Sequence, residues 1–177
     1  MSFRRFRRLA SRQDGYSLLE LLIVTVILGV VIGALTTLFI RASNAEVDMN
    51  RRFQAQQAAR VAIDKMRREI HCASQITPTG TSASITVTLP AQCPTAGGSQ
   101  TNITYDVVGS GQRFQIRRNS VNLADYVSEQ NAFNYTAPVA GTSLGKLRVT
   151  LPINTTPTDT SKEWRLVADI VLRNTSR

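Results

Sequence analysis

Cysteine and histidine are scarce in this 177-residue chain, which has two cysteines and one histidine. Cys72 and Cys93 lack the paired spacing of a zinc site. The stretch from Gly141 to Gly145 satisfies the G-x-S-x-G pattern of hydrolase nucleophiles, but that pattern requires a later histidine, and His71 precedes it. A turn is the simpler interpretation. We therefore expect no catalytic residues, no metal site and no cofactor.

The chain is also short, and its positive charge is concentrated at one end. At 19.5 kDa it has room for one modest domain and an anchor. Five of the 21 basic residues and one of the 12 acidic residues precede Gly15. Without residues 1–15, a basic leader, sixteen basic and eleven acidic residues remain, which is a formal charge of +5. Such a balance is not typical of a dedicated DNA-binding protein.

An uncharged apolar run of twenty residues extends from Leu21 to Ile40. At about 1.5 Å per residue, a helix of this length crosses a hydrocarbon core of about 30 Å. Arginines crowd its amino-terminal flank, which predicts a cytoplasmic leader and an extracytoplasmic carboxyl-terminal domain. The run is too long for an ordinary secretory signal, although Ser43, Asn44 and Ala45 leave signal-peptidase cleavage open as an alternative.

Glu20 stands at the cytoplasmic end of this run. A carboxylate at the bilayer centre costs about 2.5 to 3.5 kcal/mol on insertion scales, and less near an interface. Cleavage between Gly15 and Tyr16 would supply a partner, because the new α-amine of Tyr16 is largely protonated at neutral pH. We expect Glu20 to pair with this amine on its own helix or on a neighbouring subunit, which would stabilise one register.

The segment GYSLLELLIVTVILGVVIGAL resembles the class III prepilin signal shared by type IV pilins and type II secretion pseudopilins. The glycine before the cut, the aromatic first residue and the glutamate at the fifth mature position match at Gly15, Tyr16 and Glu20. The resemblance implies that prepilin peptidase cleaves after Gly15 and methylates the Tyr16 nitrogen. It also implies assembly with other pilin or pseudopilin subunits by inner-membrane assembly machinery.

Two details of the apolar run concern helix packing and the type of subunit. Gly29 and Gly33 form a G-x-x-x-G pair, which allows close approach of two helices, although membrane helices also tolerate glycine without such a role. A proline common in major pilins is absent, and Thr36 and Thr37 stand near its place. This difference favours a minor subunit.

Helical periodicity continues beyond Arg41, with apolar residues spaced by three and four, and predicts a helix to about Cys72. The stop signals Thr77 to Gly80 then mark a change to sheet. Alternating apolar residues predict strands in the ranges 85–89, 103–107, 113–117, 121–127, 145–151 and 164–172, with loops at 90–100 and 152–162. The predicted fold is α+β and pilin-like, with a long amino-terminal helix packed on an antiparallel β-sheet.

The chain is thus expected to divide into four parts: a basic leader (1–15), a transmembrane and filament-core helix (16–40), an amphipathic continuation (41–76) and an extracytoplasmic sheet domain (77–177). Outside the cytoplasm, Cys72 and Cys93 are expected to form a disulfide, with two unrelated thiols as the alternative. The segment LADYVSEQNAFNY, with GKLRVTL and VLRN, also resembles PilW-like minor pilins and J-type minor pseudopilins.

A group of basic residues on the predicted strands offers a different function. Arg113, Arg117 and Arg118 could contact phosphates, with Phe114, Tyr126 and Trp164 available for base stacking. Lys146, Arg148 and Arg165 belong to the same group. Strand arginines more often form a solvated face, so nucleic-acid binding is not favoured. We expect a non-enzymatic filament subunit that leaves the cytoplasmic membrane for a fibre, with a permanently anchored module for DNA uptake or adhesion as the alternative.

Overall fold

The computed structural model describes residues 16–173, in which one long helix precedes a set of antiparallel strands. Helix α1 spans Leu18–Cys72. The strands are β1 Gln75–Thr77, β2 Gly80–Ser82, β3 Ser84–Leu89, β4 Thr101–Ser110, β5 Arg113–Arg118, β6 Val121–Val127, β7 Phe133–Thr136, β8 Lys146–Ile153 and β9 Trp164–Val171. Two short 3₁₀ helices lie at Pro94–Ala96 and Thr160–Lys162. The α+β prediction is confirmed.

The strands form one sheet in the order β1-β3-β4-β5-β6-β8-β7-β2, and β9 pairs with β8. Every pairing is antiparallel. β6 and β8 share only the register pair Val127 and Ile153, whereas β8 and β9 pair along their whole length. The neighbouring strands β3, β4 and β5 follow one another along the chain: the segment 90–100 connects β3 to β4, and a two-residue turn connects β4 to β5.

The chain splits into two compact units, Met1–Val47 and Asp48–Arg177. In the first unit, the described residues 16–47 belong to α1 and its start, and all of them are exposed. In the second unit, the remainder of α1 packs one face against the sheet. Its buried positions recur at intervals of three and four residues, as expected for one stripe of a helix: Ala55, Ala59, Ala62, Ile63, Met66, Glu69 and Ile70.

The core of the second unit lies between this helical stripe and one face of the sheet. Alternate strand residues point inward, which follows from the period of two in a β-strand. In β9 the apolar side is the inner side, with Ala168 and Ile170 buried and Leu172 buried just beyond the strand. The largest fully buried side chains include Tyr105, Phe133, Met66, Ile70, Ile76, Ile85, Leu89, Ile103, Ile116, Leu147, Leu151 and Ile170.

Some sequence expectations about strands were wrong or incomplete. β1, β2 and β7 were not predicted; each has three or four residues, and its pairing partner stabilises it more than its own composition does. The predicted loop at 152–162 begins too early, because Pro152 and Ile153 still belong to β8 and pair with Arg165 and Trp164. The helix ends at Cys72, where the periodicity predicts, and the expected stop signals lie within and between β1 and β2.

Candidate functional site

Glu20 lies in the first turn of α1. The backbone amides of Glu20 and Leu21 donate to the Ser17 carbonyl at 2.9 Å and 3.1 Å, which closes the first helical turn. A carboxylate at this position interacts favourably with the positive end of the helix dipole. Tyr16 is 80% exposed. Gly15 lies outside the described residues, so the predicted cleavage site is described only on its Tyr16 side.

The apolar run of α1 is free of unsatisfied hydroxyl groups. Thr25, Thr36 and Thr37 donate their side-chain hydroxyls to the carbonyls of Leu22, Ile32 and Ala34, at 2.9 Å, 2.8 Å and 2.8 Å. Such bonds within the helix lower the cost of placing threonine in apolar surroundings. Among the described residues, α1 is the one helix that is long and apolar enough to cross a membrane by length and composition.

Gly29 and Gly33 lie one helical turn apart on this apolar run. A Cβ atom added at either glycine would meet no heavy atom within 4 Å. Both positions therefore expose backbone to whatever surrounds the helix, which is the geometry that close helix packing requires. No partner chain is present, so their predicted role in helix packing stays a prediction.

The far end of α1 carries a buried charge that the sequence analysis missed. Glu69 is 1% exposed, and its carboxylate accepts a hydrogen bond from the Tyr105 hydroxyl. Arg118 forms an ion pair with the same carboxylate at 2.9 Å and donates from Nε to both oxygens at 3.1 Å. These contacts connect the helix to β4 and β5 in the interior of the domain. A signal was present, because Glu69 falls on the apolar stripe between Met66 and Ala73.

Electrostatics at this cluster favour a charged Arg118 and a neutral Tyr105. Burial and the hydrogen bond to Glu69 raise the pKa of Tyr105 well above its ordinary value of 10.0. Burial opposes ionisation of Arg118, but the hydrogen bond and charge of Glu69 outweigh it and raise the pKa of the guanidinium above its ordinary value. Tyr105 therefore acts as a donor, as its hydrogen bond to the carboxylate requires.

Two neighbouring residues extend this attachment. The Nδ1 atom of His71 lies 2.8 Å from the Val171 carbonyl oxygen of β9. Cys72 and Cys93 form a disulfide, with their Cα atoms 5.8 Å apart. The structure thus supports the disulfide and not the alternative of two unrelated thiols. Within four residues, the end of α1 is connected to β4, β5, β9 and the segment after β3.

The six basic residues considered for DNA binding are already engaged by groups of the domain. Arg117 pairs with Asp106, Arg118 pairs with Glu69, and the guanidinium of Arg113 lies 4.7 Å from the centre of the Tyr126 ring. The other three cations also pair with carboxylates: Lys146 and Arg148 with Asp169, and Arg165 with Glu129 and Glu163. Since these carboxylates offset their charge, the group gives weak attraction for phosphates.

The aromatic residues considered for base stacking have partners of their own. Phe114 is buried, at 8% exposure, and the Tyr126 ring is covered by Arg113. The guanidinium of Arg60 lies 5.6 Å from the centre of the Trp164 ring. Base stacking needs an accessible ring face, and a guanidinium lies over one face of the Tyr126 ring and over one face of the Trp164 ring.

The G-x-S-x-G stretch forms a turn. The backbone amide of Ser143 donates to the Val139 carbonyl at 3.0 Å, and the amide of Val139 donates to the Ser143 carbonyl at 3.0 Å. β8 begins at Lys146, so a strand follows the serine where the nucleophile pattern requires a helix. Among the described residues, no group of three or more histidine, cysteine, aspartate or glutamate residues could hold a metal ion.

Residues 10–36 match the family model described as the prokaryotic N-terminal methylation motif. This motif is the class III signal of type IV pilins and pseudopilins, so the resemblance seen in the sequence is confirmed for the signal. The match includes Tyr16, Glu20, Gly29 and Gly33 and does not reach the sheet domain. Neither the search of curated proteins nor that of solved structures found a match to the chain. The resemblance to PilW-like and J-type subunits stays a prediction.

Proposed function

We propose that this chain is a minor pilin or pseudopilin, a structural subunit of a type IV pilus or of a type II secretion pseudopilus. The single observation that carries the proposal is the methylation motif at residues 10–36, which supports a processed, pilin-type subunit. The G-x-S-x-G stretch around Ser143 forms a turn followed by a strand, so it gives no support for a hydrolase, and this agrees with a structural role. The choice of a minor subunit depends on the sequence alone, because the proline common in major pilins is absent from the apolar run.

Processing generates the group that Glu20 needs. Prepilin peptidase removes the leader 1–15 and methylates the Tyr16 nitrogen, which leaves a cationic amine four residues before Glu20. While the subunit lies in the membrane, the carboxylate stays near the cytoplasmic interface, where its cost is smaller than at the bilayer centre. In a filament the amine of one subunit and Glu20 of its neighbour neutralise each other, and a misplaced subunit leaves both charges unpaired.

The other segments of the subunit also have roles in the proposed mechanism. The exposed apolar run at 21–40 serves first as a transmembrane anchor and then packs in the filament core, with close helix contacts at Gly29 and Gly33. The segment 41–76 supports the sheet domain, which comprises residues 77–177 and lies outside the cytoplasmic membrane. The inner-membrane assembly machinery then moves the subunit from the bilayer into a periplasmic or extracellular fibre.

Mass spectrometry of the mature amino terminus tests the proposal. We expect a polypeptide that begins at Tyr16 and carries one methyl group on its terminal nitrogen. A chain that retains its leader would support a permanently anchored binding module instead. A chain that begins at Glu46 would indicate signal-peptidase cleavage and secretion. Either of these two results would contradict a role in filament assembly.

A further inference from the structure

The contacts at the end of α1 differ in how strictly they specify position. Met66 and Ile70 contribute apolar surface, and such contacts tolerate small shifts because the hydrophobic effect has no preferred direction. The bonds of Glu69 to Tyr105 and Arg118 are directional and involve a side chain that is 1% exposed. Moving the helix by one residue would displace Glu69 by about 1.5 Å and about 100°. One helical register therefore satisfies the buried carboxylate.

The same register determines the position of Cys72, which follows Glu69 by three residues on the helix. Its partner Cys93 is buried, and backbone bonds hold it in place: its amide donates to the Pro90 carbonyl and its carbonyl accepts from the Ala96 amide, both at 2.9 Å. A disulfide forms only when its two cysteines meet narrow limits of distance and direction. Alignment of the helix is thus a condition for closing this bond.

We propose that Glu69, Tyr105 and Arg118 are positioning residues for oxidation of the cysteines: they fasten the end of α1 to β4 and β5 and thereby align Cys72 with Cys93. The disulfide then locks an arrangement that the buried ion pair has already selected. This role applies to the folded domain itself and does not depend on filament assembly.

The oxidation requires a disulfide oxidant, for which oxidised glutathione serves as the probe. The thiolate of one cysteine attacks a sulfur of oxidised glutathione and expels one glutathione thiolate. The thiolate of the second cysteine then attacks the protein sulfur of the mixed disulfide and expels the second glutathione. The two thiol protons of the cysteines pass to the two glutathione thiolates, and two electrons pass to glutathione. The second step is intramolecular, so its equilibrium measures how well the cysteines are aligned.

The test is the effective concentration of the two thiols in the full-length chain in detergent micelles. It is obtained from the fraction of disulfide at equilibrium in reduced and oxidised glutathione, after trapping free thiols with a maleimide. We expect Glu69→Gln to lower this concentration by about tenfold or more, because the amide is uncharged and keeps one acceptor oxygen in place of two, so the charge-assisted bonds from Tyr105 and Arg118 are lost. All variants are compared under conditions in which circular dichroism shows the reduced form to be folded.

Two matched controls separate alignment from general stability. Arg117→Met removes a neighbouring arginine whose partner is Asp106 and not Glu69, so it should leave the effective concentration unchanged. Leu151→Ala weakens the core in β8, away from the cluster, and should also leave it unchanged while the reduced chain stays folded. A decrease in these controls as large as that of Glu69→Gln would overturn the proposal.

Tyr105→Phe keeps the buried ring and removes only the hydroxyl, so it provides a milder variant if Glu69→Gln does not fold. We expect a reduction of about threefold, in keeping with the loss of one hydrogen bond. A folded Tyr105→Phe or Glu69→Gln chain with the effective concentration of the unchanged protein would show that the cluster does not position the cysteines.

Discussion

Two stretches of the same helix differ in whether their apolar residues are buried. Residues 21–40 are uncharged and exposed on every side, as Leu28 illustrates at 54% exposure. Residues 55–70 carry one apolar stripe, as Ile70 illustrates at 0% exposure against the sheet. A helix that is apolar all round needs apolar surroundings, whereas one with a single stripe needs one packed partner. The chain supplies a partner for the second stretch, and a membrane or neighbouring helices must supply surroundings for the first.

Glu20, directly before the first stretch, and Glu69, within the second, show the same difference. Glu69 finds Arg118 and Tyr105 within its own domain. Glu20 has no side-chain hydrogen bond or ion pair within residues 16–173. Both side chains are acidic groups among apolar residues, and each needs a partner to offset the cost of leaving water. In the proposed mechanism, the partner of Glu20 is the processed terminus, on its own or on a neighbouring subunit.

Among the changes that test this comparison, removal of the Glu20 carboxylate should have the largest effect, and the property affected is filament incorporation. We expect Glu20→Ala to be inserted in the membrane but almost absent from filaments, because the amine of a neighbour would remain unpaired at a cost of about 3 kcal/mol or more. Incorporation is measured by immunoblotting sheared filaments and membranes. Glu46→Ala is the matched control, since it removes the same charge from an exposed position of the same helix. Normal incorporation of Glu20→Ala would contradict the proposed assembly mechanism.

Truncating one apolar side chain in each stretch should separate the two environments directly. We expect Ile70→Ala to lower the free energy of unfolding of the sheet domain by about 2 to 5 kcal/mol, because it leaves a cavity in the core. Leu28→Ala should leave that value unchanged. Chemical denaturation in detergent, followed by the near-ultraviolet circular dichroism of the domain, measures both. Equal losses for the two variants would show that the apolar run contributes to the domain core.

Most of the fold was predictable because its periods are readable in the sequence. Apolar spacings of three and four predicted α1 as far as Cys72, and alternation predicted the long strands β3, β4, β5, β6, β8 and β9. The short strand β7 could not be predicted, because Phe133 and Tyr135 alternate over only four residues and depend on β2 and β8 for pairing. Tertiary pairing decided its structure where local composition did not.

The candidate site was predictable in its first part and missed in its second. Tyr16 and Glu20 belong to a local motif, so their spacing along the chain was sufficient to predict that motif. The cluster of Glu69, Tyr105 and Arg118 joins residues that are distant in sequence. Arg118 continues the inward alternation of Phe114 and Ile116, yet an arginine at the end of a strand also suits a solvated face. Only the packing of α1 on the sheet distinguishes these two orientations.

Glycine substitutions, one in the sheet domain and one in the apolar run, should affect domain stability and filament incorporation separately, with smaller effects. A Cβ at Gly109 would lie 2.3 Å from the Arg113 carbonyl oxygen and 2.7 Å from the Phe114 Cα, so Gly109→Ala should destabilise the domain by about 1 to 3 kcal/mol. Gly33→Leu meets nothing within 4 Å of the new Cβ and should leave domain stability unchanged while reducing filament incorporation. Domain unfolding and filament immunoblots measure the two effects. Full incorporation of Gly33→Leu would exclude close helix packing at this glycine.

The smallest expected effect concerns an exposed ion pair, in contrast to the buried pair at Glu69. Hydrogen bonds from Arg148 and Lys146 hold the pKa of Asp169 well below its ordinary value of 3.8. The folded chain therefore binds this proton less readily than the unfolded chain does. Its contribution to stability is complete above pH 3.8 and is lost as the pH falls below that value.

Asp169→Asn should therefore flatten the acid side of the stability profile slightly and leave stability at neutral pH little changed, since solvent screens exposed pairs. Urea unfolding between about pH 6 and about pH 3 measures the profile. Asp125→Asn is a suitable control, because Asp125 accepts a hydrogen bond from the neutral Asn122 and has no cationic partner among the described residues. An identical acid slope in Asp169→Asn and the unchanged protein would show that the ion pairs of Asp169 with Lys146 and Arg148 contribute nothing to the pH dependence of stability.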